Sequence, residues 1–300
     1  MIKFDKKYGD MKIAVFGREP WTEPVAEAVS FLSRIESEGA SICCHNSFSS
    51  SLRSAGEPLA GCTCFSGAED LPADVDIFLA LGGDGTFLSS LEFVRGRDIP
   101  VCGINFGTLG FLTAAKAESE VAAALAAGRF TVQNRSLLRV SADGLPDDFW
   151  PCALNEISFQ RAGAGLLSIE VSVDGRVLPA YWADGILIAT PTGSTAYSLS
   201  LGGPVVTPEC EVMLITPIAS HNLNQRPLVV PLASKVEVKV TGRSDIMLAA
   251  DNRFVRFGVS LCATVSKGDA PLRYVSFTDN SFITALRSKL LWGADSRNNG

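Results

Sequence analysis

Histidine is nearly absent: His45 and His221 are the only two in 300 residues. A metal centre built from several histidines is therefore not expected. The eight cysteines contain no CxxC pair, the spacing on which a zinc site usually draws. Several lie in apolar segments such as PVCGIN and SLCATV and read as buried, reduced thiols acting as small hydrophobes. Cys43-Cys44-His45 and Cys62-Thr63-Cys64 could at most hold a metal adventitiously. Positive charge is also in deficit, with 26 Lys and Arg against 32 Asp and Glu, a net charge of −6 and no basic cluster. That excludes a general nucleic-acid binder. It leaves room for an anionic ligand, because backbone amides bind phosphate without net positive charge. No apolar run reaches membrane-spanning length, and the opening MIKFDKKYGD lacks the apolar core of a signal peptide. No membrane partner and a cytoplasmic location are the expectation.

What is present is an ordinary globular composition, 47% hydrophobic and 19% charged, in a chain long enough for two domains. MKIAVFG (11–17), DIFLAL (76–81) and IPVCGI (99–104) read as buried strands. Helical spacing runs through Val25, Ala28, Val29, Leu32 and Ile35, and recurs over about 86–95 and 118–127. Residues 46–62, rich in Ser and Gly, read as a mobile surface loop. Strands alternating with helices imply a mostly parallel, Rossmann-like sheet, whose ligands gather at the carboxyl ends of the strands.

From about Thr131 the texture changes to short strand-like runs separated by turns. SIEVSVDGRVLPAYW reads as a hairpin turning at Asp174-Gly175, and KVEVKVTG and ADNRFVRFG look similar. Only a stretch near 195–201 reads as helix before 270. DNSFITALRSKLLWG returns to helical spacing through Phe282, Leu286 and Leu290. The expected organisation is an α/β domain over 1–133, a largely all-β domain over 134–271, and a segment over 272–300 that packs back on the first.

Two glycine-rich elements carry the chemistry. LALGGDGTFL (79–88) places a lone carboxylate, Asp84, among three glycines where a strand hands over to a helix. Glycines let the backbone approach a ligand, and helix-start amides point outward at an anion. No Gly-Lys-Ser/Thr follows, and the spacing is not G-x-G-x-x-G. A carboxylate beside a phosphate is repelled unless it has work to do, such as taking a proton from an attacking hydroxyl. On this segment alone, a tight turn with Asp84 as helix N-cap explains the pattern equally well. The second element, DGILIATPTGSTAYSLS (184–200), sets Thr192, Ser194, Thr195 and Ser198 in one Pro- and Gly-bearing turn. Such hydroxyls suit sugar and phosphate oxygens.

Together these two segments resemble the NAD kinase family. GINFGTLGFL (103–112), ALNEISF with Asn155-Glu156, GGPVV (202–206) and ITPIASHNLNQRPLVVP (215–231) extend the resemblance, in order, over most of the chain. GGDGT alone is shared with lipid kinases and, loosely, with phosphofructokinases; TPTGSTAYS is far more specific. The resemblance implies transfer of the γ-phosphoryl of ATP, or of polyphosphate, to the 2′-hydroxyl of the adenosine ribose of NAD, giving NADP. It implies NAD and ATP as substrates, Mg²⁺ carried by the ATP phosphates, and a homodimer or homotetramer. Asp84 would be the general base, and Gly82, Gly83, Gly85 and Thr86 the phosphate-facing turn. Asn155 and Glu156, with Asp84 and Gly85 beside them, would hold the adenosine moiety, and Asp184 the nicotinamide end. Thr192, Thr195, Ala196, Tyr197, Ser198, Leu199 and Ser200 would line the dinucleotide pocket. Ala219 would lie by a second adenine-side surface, and Phe111, Asp251 and Asn252 would belong to the same site.

Two departures from the family pattern stand out. Asp251-Asn252-Arg253 replaces Asp-Gly-Gln, and Tyr181-Trp182-Ala183 precedes Asp184 where several members have a basic residue. Arg139 is expected to meet a carboxylate across the domain boundary, Arg226 to brace its loop, and His221 to be a hydrogen-bonded structural residue. Trp21, Trp150, Trp182 and Trp292 are expected to pack. A GGDGT-type lipid kinase and a non-catalytic NAD(H) sensor remain the competing readings. The first leaves TPTGSTAYS unexplained, and the second leaves Asp84 unexplained. NAD versus NADH as acceptor stays open.

Overall fold

The computed structural model describes residues 2–3, 11–56, 62–107, 110–277 and 282–290. Thr108 and Leu109 of the GTLGFL segment, Trp292 and the end of the C-terminal segment lie outside the described residues. The chain gathers into two compact units, Met1–Asn134 with Arg273–Gly300, and Arg135–Leu272.

The first unit runs β1 (Ile2–Lys3), β2 (Lys12–Gly17), α1 (Val25–Ser37), β3 (Ser41–His45), α2 (Asn46–Ser54), β4 (Thr63–Phe65), β5 (Ile77–Leu81), α3 (Asp84–Val94), β6 (Val101–Asn105), β7 (Thr113–Lys116), α4 (Ser119–Ala126) and β8 (Thr131–Arg135). The second runs β9 (Leu138–Ala142), β10 (Cys152–Ala153), β11 (Glu156–Arg161), β12 (Leu167–Val173), β13 (Arg176–Val177), β14 (Tyr181–Ala183), β15 (Gly185–Ala189), a 3₁₀ turn (Thr192–Thr195), α5 (Tyr197–Ser200), β16 (Val212–Ile218), β17 (Leu228–Pro231), β18 (Val236–Thr241), β19 (Ile246–Ala250), β20 (Arg253–Phe257) and β21 (Ser260–Lys267). Strand β22 (Leu272–Ser276) and α6 (Phe282–Lys289) close the chain; β22 joins the sheet of the first unit.

That sheet is ordered β1-β8-β22-β6-β5-β2-β3-β4, with β7 also on β6. The pairs β22–β6, β6–β5, β5–β2, β2–β3, β3–β4 and β6–β7 are all parallel, and β1–β8 is antiparallel. Every residue of β5 and of β6 is buried, as the unbroken apolar runs require of strands covered on both faces. Helix α3 turns Phe87, Ser90, Leu91 and Val94 inward, a stripe at the 3.6-residue period. In α1 the buried residues are Ala28, Phe31, Leu32 and Ile35.

One expectation fails here. Residues 46–54 are not a loop but helix α2, which buries Phe48 and Leu52 four residues apart, while the His45 ring accepts the Ser47 N–H as an N-cap. Two apolar anchors on one face and a cap outweigh the low helix preference of five serines. Residues 57–61 lie outside the described residues.

The second unit is a sandwich of two antiparallel sheets. One is ordered β10-β9-β21-β18-β12-β13, with β14 also on β12; the other is β17-β16-β15-β11-β19-β20. Their inner faces share one core, in which Ile157, Phe159, Ile186, Ile188 and Ile215 meet Val140, Ile169, Val171, Val238 and Val265. Alternation along β18, buried at Val236, Val238 and Val240 and exposed between, is the half-buried strand pattern. The β12–β13 hairpin turns at Asp174 and Gly175, both with positive φ (50° and 76°), the two-residue turn that matches strand twist. On the other face of the second sheet, Leu187, Ala189 and Leu214 pack with Leu201 and Val206. That contact lays the chain after α5 back over β15 and β16. No described helix is long and apolar enough to cross a membrane.

Candidate active site

In the first unit the site is built where β5 ends. Gly82 holds φ at +133°, a conformation open to glycine, and its N–H donates to the Ile104 carbonyl at the end of β6 (2.8 Å). Gly83, not Asp84, is the residue preceding α3, and its carbonyl accepts from Thr86 and Phe87 N–H at 3.0 and 3.1 Å. Asp84 is therefore the first helical residue, and its carboxylate makes no cap. It reaches instead across the sheet edge to the connection between β6 and β7. There Oδ2 accepts the Phe111 N–H at 2.8 Å and Oδ1 the Leu112 N–H at 3.1 Å. A side chain on Gly110 would overlap that carboxylate, so the close approach depends on glycine. Thr113 Oγ1 accepts the Gly110 N–H and holds the same segment. The result is a half-buried carboxylate fixed in orientation, with lone pairs still available on both oxygens. Among the described residues the Gly83, Asp84 and Gly85 amides have no acceptor in the chain, as expected of a helix start.

In the second unit Asn155 and Glu156 sit where β10 passes into β11. Three consecutive amides, of Leu154, Asn155 and Glu156, donate to the Asp251 carboxylate at 2.8, 2.7 and 3.2 Å. Asp251 itself turns the β19–β20 hairpin at φ 52°, and its N–H returns to the Glu156 carbonyl at 3.0 Å. The Asp251 carboxylate thus clamps the backbone that presents Asn155 and Glu156. Arg253 adds a guanidinium bond to the Cys152 carbonyl and lies 4.7 Å from the Trp150 ring centroid.

The presented side chains are left unused. The side-chain amide of buried Asn155 makes no bond to the described chain, and Glu156 Oε2 is buried with no partner. Burial, with the nearby Asp251 charge adding to it, pushes the Glu156 carboxyl up to about 8. Burial raises Asp251 as well, against the pull of its three amides. A buried carboxyl without a donor is costly in a protein that has no use for it.

The hydroxyl-rich turn locks onto the same backbone. Thr190 N–H donates to the Asn155 carbonyl at 2.8 Å, Thr190 Oγ1 donates to the Leu154 carbonyl, and Gly193 N–H donates to Thr190 Oγ1 at 3.0 Å. A β-carbon on Gly193 would overlap the Asn155 carbonyl, so the two segments meet only through glycine. Most hydroxyls are spent inside the turn. Ser194 pairs in both directions with Val206, Thr195 Oγ1 donates to the Thr192 carbonyl, and buried Ser198 meets Thr216 Oγ1 at 3.3 Å. Tyr197 and Ser200 are exposed, Ala196 and Leu199 half-buried, and Thr192 buried without a side-chain bond among the described residues.

Asp184 is paired with Arg161, Oδ1 to Nε at 2.6 Å and Oδ2 to Nη2 at 3.1 Å, and this bond holds its carboxyl below the usual range. Sequence reasoning passed over Arg161, which sits at the end of β11 with no local motif; only pairing of β11 with β15 brings it to Asp184. Ala219, exposed at φ 48°, and Asn252, exposed at the hairpin tip, complete the set.

Several other expectations change. Arg139 pairs with Asp269 at 3.5 Å within the second unit, because β9 and β21 are neighbours. Trp182 is 51% exposed and does not pack as a core residue, because it points to the outer side of β14. His221 bonds through its backbone N–H to the Trp182 carbonyl (2.8 Å), while its side chain is exposed. Arg226 braces its loop at the Leu223 and Gln225 carbonyls, as expected. Cys43, Cys44, Cys102 and Cys152 are buried, but Cys64, Cys210 and Cys262 face out, and all eight are free.

An α/β unit with a glycine turn and a fixed carboxylate at the carboxyl edge of a parallel sheet, joined in one chain to a β-sandwich with an unused Asn-Glu pair, is the frame of a phosphate-handling nucleotide enzyme. The comparisons narrow that class. Family models for the ATP-NAD kinase N-terminal and C-terminal domains match residues 50–129 and 154–275. The chain is 36% identical over 304 residues to the NAD kinase of Flavobacterium psychrophilum, covering 96% of this chain and all of that one. It is 40% identical over 240 residues to the NAD kinase of Christiangramia forsetii, covering 78% and 82%. Among solved structures it resembles yeast NADH kinase complexed with NADH, with TM-score 0.84, 25% identity and coverage of 97% and 90%. It also resembles an NAD kinase from Archaeoglobus fulgidus in complex with ATP, with TM-score 0.72, 29% identity and coverage of 94% and 99%. The chain belongs to the NAD kinase family.

Proposed function

We propose that this chain transfers the γ-phosphoryl of ATP to the 2′-hydroxyl of the adenosine ribose of NAD, giving NADP. The observation that carries the reading is the Asp84 carboxylate, oriented by two amides at the start of α3 beside amides with no acceptor. Phosphoryl transfer is mostly positioning and charge neutralisation. Asp84 takes the proton from the acceptor hydroxyl as it attacks, a contribution of roughly a hundred- to ten-thousand-fold. The amides of Gly83 and Gly85 face the transferring phosphate, with Thr86 in the same turn.

Asn155 and Glu156 hold the adenosine moiety. The unused Asn155 amide and the orphaned Glu156 oxygen are the groups that ribose hydroxyls and an adenine edge would satisfy. Asp184, held by Arg161, meets the nicotinamide end, and Thr192, Thr195, Ala196, Tyr197, Ser198, Leu199 and Ser200 belong to the dinucleotide pocket. Ser198 contributes there by shaping the turn, because its hydroxyl is engaged with Thr216. Ala219, Phe111, Asp251 and Asn252 complete the site, Phe111 and Asp251 through the backbone bonds already described. Mg²⁺ would neutralise the donor's phosphates. Its ligands would be mainly the donor's phosphate oxygens and water, because Mg²⁺ dehydrates reluctantly and rarely uses an all-protein cage. A homodimer or homotetramer in the cytoplasm is part of this reading.

The test is direct. Pure protein is incubated with Mg-ATP and NAD, and NADP is followed with an NADP-specific dehydrogenase. NADP formation supports the reading. Dinucleotide binding without turnover, or phosphorylation of a lipid in place of NAD, overturns it.

A further inference from the structure

Where β3 meets the edge strand β4, Cys43 stands in register with Thr63 and Cys44 with Cys64, and Cys62 comes just before β4. Cys44 is buried, Cys62 half-exposed and Cys64 exposed, and all three are free thiols. The Cys44 and Cys62 sulfurs lie in hydrogen-bond contact, with the Cys44 S–H directed at Cys62. Cys62 passes its own S–H to the Thr63 carbonyl at 3.2 Å. The donated Cys44 S–H, above all, holds the Cys62 thiol below its ordinary range, against the opposing effect of burial. The same contact raises Cys44, and burial raises it further. Arg53, in the last turn of α2, also favours the Cys62 thiolate, and Glu36 of α1 opposes it.

Packing as small hydrophobes does not require two sulfurs to touch. A half-exposed thiol backed by a second thiol on its buried side is the arrangement of a peroxide-reactive cysteine and its resolving partner. We propose that Cys62 and Cys44 form an oxidative modification site, which takes a hydroperoxide as oxidant and closes to an intramolecular disulfide. The Cys62 thiolate attacks the peroxide. An S–O bond forms, the O–O bond breaks and, with hydrogen peroxide and one proton, water leaves. The Cys44 sulfur then attacks the Cys62 sulfenic acid. The S–S bond forms, the S–O bond breaks, and the departing hydroxide takes the Cys44 proton as a second water. Two thiols are oxidised and one peroxide is reduced. The bond ties β3 to the chain entering β4 and closes the segment that carries α2. This inference stands apart from the kinase reading.

The test treats the reduced full chain, freed of reductant, with one equivalent of hydrogen peroxide. Thiols are counted, alkylated before and after reduction, and located by peptide mass spectrometry with fragmentation. The wild type is expected to lose two thiols per chain, to yield a Cys44–Cys62 linkage, and to recover both thiols with dithiothreitol. Cys210 and Cys262, exposed in the second unit, serve as reference thiols, and Cys62 should react about tenfold faster or more. Cys44→Ser should leave Cys62 as a sulfenic acid that dimedone traps, and Cys64→Ser should leave the linkage intact. A Cys44–Cys64 linkage, links between chains only, or Cys62 oxidised no faster than the reference thiols overturns the assignment. The wild-type mapping decides the matter even where Cys44→Ser, a change at a buried position, does not fold.

Discussion

Gly110→Ala isolates the positioning of Asp84 from its chemistry. The added methyl would overlap Asp84 Oδ1 and Cγ, so either the carboxylate swings out or the segment 110–112 retreats. Either movement breaks the bonds from Phe111 and Leu112, now 2.8 and 3.1 Å. Hydrogen bonds to a charged acceptor are worth about 1.5–3 kcal/mol each, and water replaces part of that at a half-buried carboxylate. The expected loss of stability is therefore about 1–3 kcal/mol. The loss of turnover should be larger, because a general base out of register forfeits about 10²–10⁴ in rate. KM for NAD should move by less than about threefold, since Asn155 and Glu156 are untouched. Gly107→Ala serves as a control, because among the described residues a β-carbon there meets only Asn105 Oδ1, at an ordinary 3.7 Å. Steady-state rates with thermal melts of both variants decide the matter. A folded Gly110→Ala protein turning over within about threefold of wild type would refute the idea that the two amides set the base.

Gly193→Ala should be severe, because the new methyl strikes the Asn155 backbone carbonyl and no flexible side chain can give way. We expect more than about 2 kcal/mol of destabilisation and loss of NAD binding, read by melting and by calorimetry. Glu156 makes stability pH-dependent in a defined direction. Its folded value of about 8 lies above the ordinary 4.5, so the folded state holds a proton that the unfolded chain has released. Stability of the ligand-free protein should fall as pH rises from about 4.5 through 8, and Glu156→Gln should reduce that slope. Asp251, also raised by burial, keeps part of it. A ribose hydroxyl donating to Glu156 favours its ionised form, so NAD binding near neutral pH should release a proton. Calorimetric enthalpies that do not vary with buffer ionisation would contradict this.

The readable and unreadable parts of the sequence divide along a physical line. The buried strands at 77–81 and 101–105, the α3 stripe and the Asp174-Gly175 turn are short-range patterns, and each is visible in consecutive residues. Helix α2 was hidden because its serines masked the Phe48/Leu52 pair, a signal of only two residues. What could not be read is the long-range fastening. Asp84 is held from 27 and 28 residues away, and the Asn155-Glu156 backbone is clamped by an aspartate about 95 residues later. The motifs named Asp84, Asn155 and Glu156 through resemblance. The structure adds what holds them in place, and adds Arg161, whose partner Asp184 is reached only through sheet pairing.

The central claim is that Asp84 acts as a base. Asp84→Asn keeps the size of the side chain and an acceptor oxygen for one of its two amides, but cannot take a proton. Turnover of NAD to NADP should fall by about a hundredfold or more, with NAD affinity, measured by calorimetry on the same preparation, within about tenfold of wild type. A variant that binds NAD and still forms NADP at near the wild-type rate would show that the proton leaves by another route.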